Sequence, residues 1–183
     1  MELDRLSRGL IVSCQPVPGG PMDRADIVVG FALAALAGGA RALRIESTAY
    51  VAAVRATTDA PIVGLIKRDL NDSPVRITPL LSDVPALSAA GADIIAFDAT
   101  MRPRPVGVAE ILRAIRANGC VSMADCSNEI DAREALAAGA DILASTLSGY
   151  TGGTEPSEPD YALVAAMRRM TPRLAELDLE QSR

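Results

Sequence analysis

Ala86-Leu-Ser-Ala-Ala-Gly-Ala-Asp-Ile-Ile-Ala-Phe-Asp98 reads as the end of a helix, a glycine stop and a buried strand that finishes on a carboxylate. Glycine suits the position just past a helix because it has no Cβ to oppose a left-handed backbone. The apolar run that follows is short and continuous, as strands covered on both faces of a parallel sheet are. The same pattern occurs in Leu33-Ala-Ala-Leu-Ala-Gly-Gly-Ala40 before Leu43-Arg44-Ile45, and in Ala132-Arg-Glu-Ala-Leu-Ala-Ala-Gly-Ala140 before Asp141-Ile-Leu-Ala-Ser145. Gly39, Gly91 and Gly139 lie 52 and 48 residues apart, which leaves room for two βα units per interval.

Along the rest of the chain the pattern predicts strands near 10–13, 42–45, 62–66, 93–97, 121–124 and 141–145. Helices are predicted near 25–37, 48–56, 84–89, 107–117, 129–137 and 161–170. Parallel βα units build either an open doubly wound sheet or a closed barrel. The open sheet usually carries a glycine-rich phosphate turn after its first strand, and residues 10–20 contain no GxGxxG or P-loop pattern. Polar residues at the C-terminal ends of several strands fit the barrel, whose active site is assembled there. The expected fold is α/β, a TIM-type (β/α)8 barrel with about six βα units in a single domain over residues 1–183.

Apolar residues make up 49% of the 183-residue chain and aromatics 3%, so Ala, Leu, Ile and Val must fill the interior. A net charge of -5 argues against non-specific attraction to nucleic acid or anionic membrane. No run approaches the ~18 apolar residues of a membrane helix, and the N-terminus lacks a secretory core, so a cytoplasmic location is expected. Cys14, Cys120 and Cys126 are too scattered for a disulfide framework, and the chain has no histidine. Neither a metal site nor a Ser-His or Cys-His pair is expected, and acid–base work falls to Lys, Asp, Glu, Tyr or Cys.

The strand ends supply Ser13-Cys14-Gln15, Arg44-Ile45-Glu46, Lys67-Arg68-Asp69, Asp98-Ala99-Thr100, Asp125-Cys126-Ser127 and Thr146-Leu-Ser-Gly-Tyr150. Converging on one rim, these groups have the character needed to hold a polyhydroxylated anionic small molecule and move a proton on it. Lys67 stands where the apolar run Pro61-Ile-Val-Gly-Leu-Ile66 stops, and it reads either as a usable base or as a solvated strand end.

Gly9-Leu-Ile-Val-Ser-Cys-Gln15, Val63-Gly-Leu-Ile-Lys-Arg-Asp69, Ala96-Phe-Asp-Ala-Thr100, Met123-Ala-Asp-Cys-Ser127 and Thr146-Leu-Ser-Gly-Tyr-Thr151 resemble, in order, the motifs of the N-acetylmannosamine-6-phosphate 2-epimerase family of sialic-acid catabolism. The resemblance implies a TIM-type barrel that interconverts N-acetylmannosamine 6-phosphate and N-acetylglucosamine 6-phosphate without a cofactor. It implies Lys67 as the catalytic residue, with substrate contacts from Gln15, Arg44, Asp125 and Tyr150. Three of these also have a structural alternative: Gln15 capping a turn, Arg44 pairing with Glu46 or Asp69, and Asp125 capping the next helix. Two other functions stay open, a non-catalytic sugar-phosphate-binding module and a lysine Schiff-base aldolase.

Inverting C2 requires removing its hydrogen and returning one to the opposite face, through an enolate made accessible by the C1 carbonyl of the open-chain sugar. A neutral Lys67 is suited to the first step, and Arg44 or Gln15 to stabilising the charge that develops. The family places its second proton-transfer glutamate in an Ala-Glu-Gly motif on a seventh strand and draws its phosphate site from the seventh and eighth loops. Thr171-Pro-Arg-Leu-Ala-Glu-Leu-Asp-Leu-Glu-Gln-Ser-Arg183 reads instead as a divergent, polar, helix-like tail, in which Glu176 and Glu180 lie on a solvated face. About two units are thus expected to be missing. A sheet open at its first and sixth strands is expected to form a homo-oligomer or take up a complementing C-terminal segment.

Overall fold

A computed structural model describes residues 6, 8–152, 157–171 and 175–176. The strands are β1 (Ile11–Ser13), β2 (Ala42–Glu46), β3 (Ile62–Leu65), β4 (Ile94–Asp98), β5 (Val121–Asp125), β6 (Ile142–Ala144) and β7 (Ala175–Glu176). Between them run α1 (Ala25–Ala37), α2 (Thr48–Arg55), α3 (Asp83–Ala89), α4 (Val108–Ala117), α5 (Glu129–Ala137) and α6 (Tyr161–Met170). Every neighbouring pair is parallel and the strands follow chain order across the sheet. Gly39, Gly91 and Gly139 adopt φ of 98°, 99° and 95°, the left-handed conformation that ends each preceding helix.

The core has two parts, one on each face of the sheet. On the first, Val28 of α1, Val51 of α2, Leu87 of α3, Ile111 of α4, Ala132 of α5 and Met167 of α6 join strand residues such as Leu43, Phe97 and Leu143. On the second, Ala42, Val63, Leu65, Ile94, Ala96, Met123, Ile142 and Ala144 pack with Leu6 and Ile77. No residue of the six helices enters the second cluster. Helices confined to one face, with strands in sequential order, give the winding of a (β/α)8 barrel; a doubly wound sheet carries helices on both faces. The second cluster is the layered interior of that winding.

β7 corrects the reading of the tail as wholly helix-like. Ala175 and Glu176 pair in parallel with Leu143 and Ala144 of β6. So short a strand needs no apolar run of its own, since the ladder of its neighbour supplies the backbone partners. β6 is therefore an interior strand, and among the described residues the outer strands are β1 and β7. Residues 172–174 and 177–183, Glu180 with them, lie outside the described residues. Among those described, no helix is long and apolar enough to cross a membrane.

Candidate active site

Side chains alternate between the two faces of a strand, and this chain uses the alternation to change chemistry along one face. Ala42, Arg44 and Glu46 share a face of β2. The same spacing relates Val63, Leu65 and Lys67, then Ile94, Ala96 and Asp98, then Val121, Met123 and Asp125, then Ile142, Ala144 and Thr146. The first members of each set are apolar and belong to the second cluster, while the last are polar. A cavity of about 220 Å³ opens at that polar end, and its wall includes Gln15, Arg44, Lys67, Asp98, Arg102 and Tyr150.

Arg44 and Asp125 form a buried fork. Arg44 Nη2 donates to Asp125 Oδ2 at 2.8 Å and Nη1 to Oδ1 at 3.1 Å, with both side chains almost fully enclosed. Thr146 Oγ1 donates to Asp125 Oδ1 at 3.0 Å. Burial pushes the Asp125 carboxyl above the ordinary aspartate range, opposed by the charge and hydrogen bonds of Arg44 and the hydroxyl of Thr146. Arg44 thus pairs across the sheet with Asp125, not with Glu46 or Asp69. Asp125 does not cap α5; Asn128 does, accepting from the backbone N–H groups of Ile130 and Asp131.

Lys67 follows β3 and places its ammonium 3.5 Å from Glu46 Oε2, with both side chains partly buried. Of the 18 cationic residues in the chain, Lys67 is the one lysine and the other 17 are arginine. An arginine does not release its proton in a protein, whereas a lysine can become a neutral amine. The one basic side chain able to serve as a proton acceptor is therefore in the cavity wall.

Gln15 extends from the end of β1, and its Nε2 donates to Ser13 Oγ at 2.7 Å. Its Oε1 is buried and accepts no hydrogen bond among the described residues, which leaves a polar acceptor at the cavity. Tyr150 forms part of the same wall and is 44% exposed. Lys67, Gln15, Arg44 and Tyr150 are thus brought together, while Asp125 stands behind Arg44 and outside the cavity lining.

Asp98 and Thr146, quoted above among the polar strand ends without a role of their own, also line the cavity, and so do Arg76 and Arg102. Asp98 is locked in place: Oδ1 accepts from Thr100 N and Oγ1 at 2.9 and 2.6 Å, and Oδ2 from Arg102 Nη2 at 2.6 Å. The alternation along β4 and β6 marks Asp98 and Thr146 in the sequence. Nothing comparable marks Arg76 and Arg102, which reach the cavity from loops. Burial pushes the thiols of Cys14 and Cys126 upward, which suits them to packing and not to nucleophilic work.

The backbone register extends to β7. Asp98 pairs with Asp125, Asp125 with Ala144, and Ala144 with Glu176, so Glu176 occupies the same row as the two aspartates.

Residues 28–176 match a family model described as "Putative N-acetylmannosamine-6-phosphate epimerase". A curated protein of Yersinia pestis (strain Pestoides F), named "Putative N-acetylmannosamine-6-phosphate 2-epimerase", is 60% identical over 163 residues, covering 89% of this chain and 70% of its own length. A protein of the same name from Yersinia pseudotuberculosis serotype O:3 (strain YPIII) is likewise 60% identical over the same shares. The solved N-acetylmannosamine-6-phosphate 2-epimerase from Clostridium perfringens superposes with a TM-score of 0.91 at 34% identity, over 96% of this chain and 78% of that one. A structure described as "Native KDPGal structure" matches with a TM-score of 0.58 at 18% identity, over 88% of this chain and 66% of its own, a likeness of fold alone.

Proposed function

The chain belongs to the N-acetylmannosamine-6-phosphate epimerase family, and from that premise we propose that its 220 Å³ cavity is where N-acetylmannosamine 6-phosphate and N-acetylglucosamine 6-phosphate are interconverted at C2. The observation that carries this reading is the placement of the chain's one lysine in a wall that also bears Arg44, Arg76 and Arg102, the carboxylate of Asp98 and the amide of Gln15. Lys67 takes the C2 proton of the open-chain sugar, and the electron pair of the broken C–H bond delocalises onto the C1 carbonyl as an enolate. A proton delivered to C2 from the opposite face completes the inversion.

Glu176 is our choice for that second proton transfer. Supporting it are the parallel pairing of β7 with β6, the shared row with Asp98 and Asp125, and a family match that runs to residue 176. Ala175-Glu176 corresponds to the first two residues of the family's Ala-Glu-Gly motif, with Leu177 in place of the glycine. On this proposal the chain keeps a counterpart of the glutamate that its tail is expected to lack.

Arg44 and Gln15 face the sugar as polar partners, and Tyr150 closes the wall beside them. Asp125 acts through Arg44: its fork fixes the guanidinium plane, so that little reorganisation is needed when charge develops on the enolate. The phosphate and hydroxyl groups meet a wall bearing Arg76 and Arg102. We propose that residues 1–183 form one barrel-type domain.

Incubation of the chain with either sugar phosphate in D2O, followed by NMR, tests the proposal. It predicts formation of the other epimer with deuterium at C2. Well-folded protein that yields neither product rejects it. Binding without turnover would favour the sugar-phosphate-binding module, and borohydride trapping of a sugar on Lys67 would favour Schiff-base chemistry.

A further inference from the structure

The β3–β4 ladder stops short of the cavity. Its paired residues are Val63 with Ile94 and Gly64 with Ile95, and beyond them the two strands diverge. Ile77 and Thr78 return from the β3–α3 connection and fill the gap. Thr78 N donates to Ile66 O at 2.7 Å, and Asp98 N donates to Ile77 O at 3.0 Å. The Thr78 hydroxyl completes the join: it donates to Ala96 O at 2.6 Å and accepts from Ile66 N at 3.4 Å. A side-chain hydroxyl thus replaces one rung of backbone pairing, because it can donate to one strand while accepting from the other.

Thr78 is fully buried and has φ of 45°, a left-handed backbone uncommon for any non-glycine residue and costly for a β-branched one. Its surroundings enforce that conformation. One residue back, Ile77 bridges antiparallel to Lys67, and Arg68 N donates to Arg76 O at 2.9 Å, so residues 66–78 form a closed excursion with Lys67 on one limb. Lys67, Ile77 and Asp98 all line the cavity. The wedge therefore both parts β3 from β4 to open that space and clamps the residue preceding Lys67 on its N–H and C=O.

We propose that Thr78 is a positioning residue for Lys67: its hydroxyl holds the splayed ends of β3 and β4 at the separation that aims the amine at C2. The proposal rests on the reading of Lys67 as the base. Thr78 touches no reacting atom, so its effect must appear in the placement of Lys67 and in turnover, not in substrate affinity.

Thr78→Val keeps the shape and deletes the hydroxyl, leaving Ile66 N–H and Ala96 C=O without their shared partner. A displacement near 1 Å at the base lowers kcat by roughly 100-fold, with KM changed less than about threefold. Thr78→Ser, which keeps the hydroxyl, retains kcat within about fivefold. Because Lys67 is the one lysine, its acetylation rate, mapped by mass spectrometry, reports its environment without any turnover. That rate shifts severalfold in Thr78→Val and stays at the wild-type value in Thr78→Ser. If Thr78→Val does not fold, Thr78→Ala replaces it, with the same fall in kcat and the same change in acetylation expected.

Loss of kcat together with altered Lys67 acetylation, both restored by serine, supports the proposal. A valine variant with normal kcat and normal acetylation overturns it. So does a loss of kcat that merely tracks the unfolded fraction while acetylation of the folded protein is unchanged. Lys67→Met separates this from the base assignment: epimerisation surviving in that variant removes Lys67 from the chemistry, and the acetylation rates then decide alone whether Thr78 places it.

Discussion

Replacing Asp125 with alanine removes the carboxylate that both Nη atoms of Arg44 share. The two side chains are 3% and 0% exposed, and the contacts are 2.8 and 3.1 Å, so the change leaves an almost fully buried guanidinium without the acceptor that both Nη atoms share. Breaking a buried pair by deleting one partner costs about 3–5 kcal/mol. For a chain of this size each kcal/mol moves the melting temperature by about 2–4 °C, which predicts a drop of roughly 6–20 °C. Arg44→Met is the mirror experiment and adds a pH signature. Burial already pushes the Asp125 carboxyl up, and losing the guanidinium removes an opposing influence, so in this variant the folded state holds the proton more tightly than the unfolded one. Stability must then fall as pH rises above the unfolded aspartate value of about 3.9, and Arg44→Met is more stable, relative to wild type, near pH 5 than near pH 7.5. The double variant Arg44→Met/Asp125→Leu is destabilised by less than the sum of the single changes, because neither charge is left behind. Circular-dichroism melts at the two pH values supply all these comparisons. An Asp125→Ala melting temperature within about 2 °C of wild type, or an Arg44→Met penalty independent of pH, would show that the buried fork does not stabilise the fold in this way.

Two further changes test the scaffold. Gly64→Ala places a Cβ 2.8 Å from Ala92 Cβ and 3.2 Å from Leu87 Cδ2, where β3 lies against α3; overpacking there costs about 1–3 kcal/mol, read from a shifted urea midpoint with an unchanged slope. Asp160→Ala removes the N-cap of α6, a carboxylate that accepts from Leu163 N and Ser148 Oγ and is held below the usual aspartate range first by the Leu163 bond and then by Ser148; the cost is about 1 kcal/mol. Since the folded-state value is depressed, that difference is fully present above the unfolded pKa and disappears as pH falls through the folded one, as acid-range melts will show.

The fold was legible where local chemistry and tertiary packing agree. The glycine stops predict helix ends that the positive φ values of Gly39, Gly91 and Gly139 bear out, and the apolar runs predict six strands to within a residue or two at most ends. β7 was not legible, because Ala175 and Glu176 become a strand through the ladder of β6 and not through a pattern of their own. For the site, polar residues at strand ends carried the reading: Lys67, Gln15, Arg44 and Tyr150 meet at one cavity. The partner of Arg44 lay 81 positions away, and no spacing rule connects Arg44 to Asp125 across three intervening strand pairings. Ile77 and Thr78 were hidden for a related reason. They sit in a connection whose sequence resembles a loop, and only the divergence of β3 and β4 makes a hydroxyl there part of the sheet.

Face-resolved exchange at C2 shows whether Lys67 and Glu176 work on opposite faces of the sugar. With each sugar phosphate supplied separately in D2O, wild type exchanges the C2 hydrogen of both epimers and interconverts them. Lys67→Met is predicted to abolish interconversion and to lose exchange from the epimer whose C2 hydrogen faces Lys67, while Glu176→Gln loses it from the other. Continued interconversion by Lys67→Met would contradict the account.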